Sequence, residues 1–357
     1  MNSLLLKVAA ANVTANDPAI RRAAELIRRG GLVAFPTETV YGLGANALDR
    51  AAVVRIFEAK QRPAWDPIIV HACSVEMAQS LVTDWPEAAQ KLAASFMPGP
   101  LTLLLPKRAM VPDVCTAGRE KVGIRIPAHP VALALIEAAG VPIAAPSANR
   151  FGGTSPTTAA HVQRDLDGRI DAILDSGPAE VGVESTVIDI TAAPPIIYRP
   201  GGISREQIES VIGPVRIAAP EIRHDDAAPP ESLESPGLGI RHYAPRARLI
   251  LAEDECAMAT TIEPLVARGE HVGLMLPAGW LSTGQVRGCV VFSWGDFDQL
   301  PMLAARLYAG LRWLDEHQAT VIVCPIPPAT GIGLAILDRL RKAATPHASG
   351  SSEESMR

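Results

Sequence analysis

Between Pro214 and Pro245 the chain places six prolines in 32 residues, with Asp225-Asp226 and Ser235-Pro236-Gly237 among them. Proline lacks a backbone donor and fixes φ, so this stretch reads as an extended linker and not as part of a core. It divides a chain of 357 residues, already long for one ordinary domain, into two unequal parts. Before it, short apolar runs alternate with helical patterns. Asp17-Pro18 reads as a helix cap and first turn, and Gly30-Gly31 as its close. Strands are predicted at 32–35, 68–70, 101–105, 122–126, 142–145, 172–175 and 186–190. Helices are predicted at 49–60, within 74–97, and at 129–139, 157–166 and 204–212. After the linker, strands near 247–251, 271–276, 288–292 and 320–324 alternate with helices near 300–316 and 331–342. Both parts therefore read as α/β units with largely buried strands. The expected limits are 15–212, a linker at 213–246, a smaller unit at 247–343, and a disordered tail at 344–357 rich in Ser, Glu and Ala.

Composition narrows the function classes. A net charge of −5 argues against a large nucleic-acid footprint, though not against a small basic pocket. The five cysteines are scattered and never form a CxxC pair, which suits reduced thiols in a cytoplasmic protein. The eight histidines are dispersed too, so the sequence offers no structural zinc pattern. The N-terminus lacks a signal-peptide pattern, and no uncharged apolar run is long enough to span a bilayer.

Several polar residues stand at predicted strand ends, where open α/β sheets bind ligands. Gly42-Leu43-Gly44-Ala45-Asn46-Ala47 spells a dinucleotide fingerprint. However, Pro36 to Tyr41 separates it from the strand, and the fingerprint needs its glycines at the strand end. No GxxxxGK[ST] loop occurs, so any use of ATP proceeds without one. Thr37 and Thr39 either cap a turn or form a polar rim for a small ligand. Lys60 and Arg62, beside Pro63, are either a solvated helix end or paired cations for a polyphosphate. Arg125 lies in an otherwise apolar strand, Val122 to Ile126. A guanidinium there needs an internal carboxylate or the anion of a ligand. His71 closes a strand as a structural histidine or a ligand contact. Ser147, Asn149, Ser155 and Ser185 each fit an ordinary turn, yet all fall at strand ends. Arg199, beside Pro200, repeats the pairing of a cation with a rigid turn.

Taken in order, PTETVYGLG (36–44), KQRP (60–63), GIRIP (123–127), PSAN (146–149), SPT (155–157), ESTV (184–187) and RPGGI (199–203) resemble the YrdC-type domain family. SPGLGIRHYAP (235–245), followed by a small α/β unit, is similar to the long, two-domain threonylcarbamoyl-AMP synthases. The resemblance implies a YrdC-like twisted open sheet flanked by helices, plus a smaller Rossmann-like C-terminal domain. It also implies that L-threonine, bicarbonate and ATP, with Mg²⁺, give threonylcarbamoyl-AMP, pyrophosphate and water. A separate tRNA threonylcarbamoyl transferase would then receive the adenylate, so no direct tRNA binding is needed.

Carried over by motif, the threonine pocket would be Thr39, His71, Arg125, Ala145 through its backbone, and Ser185. The nucleotide side would be Lys60, Arg62, Asp66, Lys121, Ser147, Asn149, Ser155, Arg199 and Tyr243, with the tyrosine over the nucleotide as part of a lid. Lys60 and Arg62, with Arg199 and Mg²⁺, would carry the catalytic charge stabilisation. Asp66 stands where the family usually has asparagine, and Lys121 where serine or threonine is common. Two other readings compete: a YrdC-type module that binds nucleotide or RNA without chemistry, and the carbamoyl-transfer use of this domain in hydrogenase maturation. The second goes with zinc-finger cysteines that this sequence lacks.

Overall fold

The computed structural model describes residues 2–219 and 242–345. Most of the proline-rich stretch, and the expected tail from residue 346, lie outside the described residues. The first part builds one large sheet from β1 (Leu4–Lys7), β2 (Val33–Phe35), β3 (Gly42–Asn46), β4 (Val70–His71), β5 (Leu101–Pro106), β6 (Lys121–Arg125), β7 (Ile143–Ala144), β8 (Ala172–Asp175), β9 (Thr186–Asp189), β10 (Ile196–Arg199) and β11 (Arg216–Ile217). Their order is β1-β8-β2-β3-β7-β4-β6-β5-β9-β10-β11. Parallel pairs such as β4/β6 and β5/β9 mix with antiparallel ones such as β2/β3, β4/β7 and β5/β6. β1 and β11 join this sheet although they lie outside the expected limits of 15–212.

The fingerprint-like run at 42–46 is itself a strand, antiparallel to β2. Its glycines serve packing: a Cβ on Gly44 would meet Ile143 at 2.7 Å and Phe35 at 2.8 Å. Helix caps follow the sequence signals. The Asp17 side chain accepts from Ala19 and Ile20, and that of Asp49 from Ala51 and Ala52. The helix Arg50–Lys60 ends on Gln61, whose φ of 55° is left-handed and turns the chain sharply before Arg62.

The second part is a parallel four-stranded sheet of β12 (Arg248–Ala252), β13 (Val272–Pro277), β14 (Val290–Gly295) and β15 (Val321–Pro325), ordered β12-β15-β13-β14. A helix at Glu255–Ala267, which the sequence reading lacked, joins those at Leu300–Glu316 and Gly333–Ala344. The two parts share a core. Val40, Val183 and Tyr243 pack in one buried apolar cluster with Leu303, Leu307, Tyr308 and Ala335 of the second.

Candidate active site

The site forms where strand ends and loops from several motifs meet. β4 and β6 are parallel neighbours in register, with His71 opposite Arg125, so these two side chains leave the sheet on one face. The 146–149 loop is stitched to β3: Leu43 N–H donates to Pro146 O and Ala148 N–H to Tyr41 O, both at 2.8 Å. Between these segments lies a cavity of about 50 Å³. It is lined by Thr39, Arg62, His71, Arg125, Ala145, Ser147, Glu184, Ser185, Arg199, His242 and Tyr243, among others.

Arg125 has the internal carboxylate its burial calls for. Its Nη2 lies 2.8 Å from Glu38 Oε1 in a buried ion pair and donates to Thr39 Oγ1 at 2.9 Å, while the residue lines the cavity. Burial, helped by the Arg125 charge, lowers His71 to about 3, so its ring is neutral at physiological pH. Its Nδ1 is buried without a hydrogen-bond partner among the described residues, and a polar ligand would supply one. Ser185 Oγ meets Thr102 Oγ1 at 2.8 Å and accepts from Arg199 Nη2 at 3.1 Å. The Ala145 N–H is already donated to Ile69 O at 2.9 Å, so only its carbonyl can serve a ligand.

Lys60 is no solvated helix end. It is 1% exposed, and its Nζ donates to the carbonyls of Ser147, at 2.6 Å, and Asn149. It does not line the cavity but stands behind the wall that does. Burial, reinforced by Arg62, holds its ammonium well below the usual lysine range. Arg62 lines the cavity and donates to Asp66 O at 3.2 Å and Pro67 O at 2.7 Å. Its guanidinium also lies 2.9 Å from the Asp66 carboxylate, so the departure from asparagine creates a buried ion pair behind the cavity wall. Asn149 donates to Arg150 O and Gly153 O, within its own loop. Ser155 donates to Glu184 Oε1 at 2.5 Å. Lys121 is not brought to the cavity. It begins β6 where Arg125 ends it, about 13 Å away along a strand, and pairs with Asp189 at 2.6 Å.

His242 and Tyr243 follow the undescribed segment and line the cavity. Tyr243 is 1% exposed and has a φ of 63°, unusual for an aromatic residue. Its ring stacks on Tyr308 at 6.0 Å, and the Arg339 guanidinium sits 4.9 Å from its centroid. Its hydroxyl has no hydrogen-bond partner among the described residues, and burial raises it to about 12. Glu184 belongs to the ESTV motif, in which the sequence points to Ser185 and not to the carboxylate. Here burial pushes its carboxyl up, but Arg339 and Arg199 overcome this and hold it at about 2. Among the described residues no three His, Cys, Asp or Glu side chains gather as a metal site.

Comparison with known proteins bears on this arrangement. The Sua5/YciO/YrdC family model, described as "Telomere recombination", matches residues 25–201. A second model, "Threonylcarbamoyl-AMP synthase, C-terminal domain", matches residues 203–345. The threonylcarbamoyl-AMP synthase of Pyrococcus abyssi is 47% identical over 91% of this chain and 94% of its own length. The chain belongs to the threonylcarbamoyl-AMP synthase family. The Bacillus subtilis threonylcarbamoyl-AMP synthase is 46% identical over 93% of this chain and 94% of its own length. A crystal structure of P. abyssi Sua5 complexed with L-threonine superposes with a TM-score of 0.88, at 44% identity, covering 96% of this chain and 98% of that one. A second α/β domain follows the first and packs behind the cavity wall, against Glu184 and Tyr243, without lining the cavity itself. Tyr308 and Arg339, buried against Glu184 and Tyr243, belong to no motif legible in the sequence.

Proposed function

We propose that this protein is a nucleotidyltransferase that joins L-threonine, bicarbonate and ATP into threonylcarbamoyl-AMP, releasing pyrophosphate and water. The observation that carries the reading is a single cavity lined by Arg125, Thr39 and His71 together with Arg62 and Arg199. Arg125 takes the threonine carboxylate, exchanging part of its contact with Glu38 and Thr39 for the ligand. Neutral His71, Ser185 and the Ala145 carbonyl complete the threonine pocket.

Threonine's amine adds to the bicarbonate carbon and water departs, leaving a carbamate. A carbamate oxygen then attacks the ATP α-phosphorus, and pyrophosphate leaves with the bonding electron pair. The residues supply placement and charge, since no side-chain nucleophile is needed. Arg62 and Arg199 face the phosphates, with Ser147 beside them. Lys60, Asn149 and Ser155 act from behind, by holding the 147–155 segment in shape. Mg²⁺ arrives on the ATP phosphates as part of that substrate, where phosphate oxygens and waters fill most of its shell.

On this reading ATP meets His242 and Tyr243, which line the cavity and end the linker that we propose as the lid; residues 220–241 of that linker lie outside the described residues. The functional limits proposed are a catalytic unit at 15–212, a lid-bearing linker at 213–246 and a C-terminal domain at 247–343. The adenylate passes to a separate tRNA threonylcarbamoyl transferase, so the enzyme itself has no need to bind tRNA. It works in the cytoplasm. Among the described residues no helix is long and apolar enough to cross a membrane.

Incubation with ATP, threonine and bicarbonate tests the reading by scoring pyrophosphate and the adenylate. Both products should vanish when either threonine or bicarbonate is omitted. Pyrophosphate release that ignores threonine would overturn it.

A further inference from the structure

Glu184 is a carboxylate on the nucleotide side of a site meant for polyphosphate, only 6% exposed and lining the cavity with Arg62 and Arg199. Left to itself it would repel phosphate and draw on the nearest arginine. Its partners come from both domains. From the first, Ser155 Oγ donates to Oε1 at 2.5 Å. From the second, Tyr308 OH lies 3.0 and 3.1 Å from its two oxygens, and Arg339 Nε donates to Oε2 at 2.7 Å. Both second-domain residues are fully or almost fully buried. The same two side chains carry the Tyr243 ring, one by stacking and one by its cation.

We propose that the C-terminal domain completes the active site: Arg339 and Tyr308 are positioning residues that bind the Glu184 carboxylate, so that Arg199 serves the nucleotide phosphates instead of neutralising Glu184. The inference rests on the function proposed above and gives the second domain a task within it. Arg312 sets the register of this contact. From the same helix as Tyr308, its Nη2 donates to Thr154 O and pairs with Asp165 at 2.6 Å, fixing the segment that carries Ser155. Removing Arg339 leaves a buried carboxylate short of its main counter-charge. Arg199 lines the same cavity, is bonded to the adjacent Ser185 and acts on that carboxylate electrostatically, so it is the cation left to answer it. The phosphate side then loses a cation without any direct contact to ATP having been deleted.

A double-mutant cycle separates this from plain structural damage. In the full-length protein, Arg339→Met should weaken ATP binding, read by calorimetry, by at least about tenfold, the scale of one charge-assisted contact. Threonine binding should change by less than about twofold. Adding Glu184→Gln should restore most of the lost ATP affinity, because the charge that captured Arg199 is gone. Tyr308→Phe keeps the ring and removes one donor, so it should fold and show a smaller loss of ATP affinity in the same direction. A double variant that binds ATP no better than Arg339→Met would overturn the proposal. So would parallel losses of ATP and threonine binding, or unchanged ATP binding in both Arg339→Met and Tyr308→Phe. Threonine-dependent pyrophosphate release by the unaltered protein tests the underlying function separately, so failure of one is distinguishable from failure of the other.

Discussion

Lys60 Nζ lies 2.6 Å from the carbonyl oxygen of Ser147, two residues 87 positions apart in the chain. This bond ties the KQRP motif to the PSAN motif, and the tie shapes the cavity wall that carries Ser147. The same ammonium also meets the Asn149 carbonyl, and Phe151 N–H returns to Lys60 O at 3.0 Å. The turn between β7 and Ser155 is thus pinned from beneath by one buried lysine, while Ser147 faces the cavity.

Lys60→Met should therefore act as a structural lesion with a catalytic consequence. Two buried carbonyls lose their donor, at about 1–3 kcal/mol each. The melting temperature should fall and ATP affinity should drop by more than tenfold, with threonine affinity much less affected. Lys60→Arg should fail to restore ATP binding, because a planar fork cannot serve two carbonyls from the same buried point. Full ATP affinity in Lys60→Met, checked by calorimetry beside a thermal melt, would show that the turn needs no pin.

Arg125 joins the site to the core. Arg125→Gln keeps a donor toward Thr39 but removes the charge that a threonine carboxylate would meet. A charge-assisted contact is worth about 1.5–3 kcal/mol, so threonine affinity should fall roughly 10- to 100-fold. ATP affinity should change by less than about threefold by the same scale. Stability should also fall, because Glu38 stays buried beside a neutral partner. Separate titrations with each substrate check this, and a larger effect on ATP than on threonine would reverse the assignment of the two substrates.

What the sequence made legible, and what it hid, follows from how each residue is recognised. Strands such as β8 are readable from their apolar runs, and the helix Leu300–Glu316 from its apolar period and the proline in its first turn. β3 is not, since Gly42-Leu43-Gly44-Ala45-Asn46 lacks the β-branched and aromatic side chains that mark a strand. Its burial comes from Phe35 and Ile143 pressing on its glycines. The buried arginine at 125 announced itself because an apolar strand cannot hold an unpartnered charge, but its partner Glu38 was hidden in a motif read for its threonines. Tyr308 and Arg339 gave no signal at all. Each sits in an ordinary amphipathic helix, and only the packing of that helix against Glu184 gives it a function. Lys121, at the start of the strand that Arg125 ends, pairs with Asp189 and lines a smaller neighbouring pocket, a difference that position in a strand does not announce.

Gly201, in the RPGGI motif, offers a test of how closely two motifs approach. A Cβ there would fall 2.3 Å from the Ser185 carbonyl carbon and from the Thr186 nitrogen. These are backbone atoms and cannot rotate away. Gly201→Ala should displace either the Arg199 segment or the Ser185 backbone, at a cost of about 1–3 kcal/mol or more. Since Arg199 bonds to Ser185 through both Nε and Nη2, adenylate formation should collapse along with stability. Gly213→Ala is the control for generic glycine effects: its φ of 83° is strained for alanine, but nothing lies within 4 Å of the new methyl. It should lose some stability and keep its turnover. Equal turnover in the two variants, measured by pyrophosphate release, would mean that the close approach does not matter.

The buried histidines set the acid limb of stability. Burial holds His71 at about 3 and His161 at about 4, both below the ordinary value of 6.5 that each regains on unfolding. Between those values the unfolded chain binds more protons than the folded one, so stability falls as the pH falls. The contribution is complete above pH 6.5 and is lost progressively toward pH 4 and pH 3. Glu184, held at about 2, adds a second and later loss, from its ordinary 4.5 downward. For one histidine the fall from pH 6.5 to 5 is at most about 2 kcal/mol. His71→Gln should therefore flatten the decline between pH 7 and pH 5 while lowering stability at pH 7. Because His71 stays neutral across that range, the pH–rate profile of the unaltered enzyme should carry no limb that disappears in His71→Gln. Urea denaturation at pH 5, 6 and 7 measures the slope. An identical slope in the variant would mean that His71 titrates in the folded protein as it does in water.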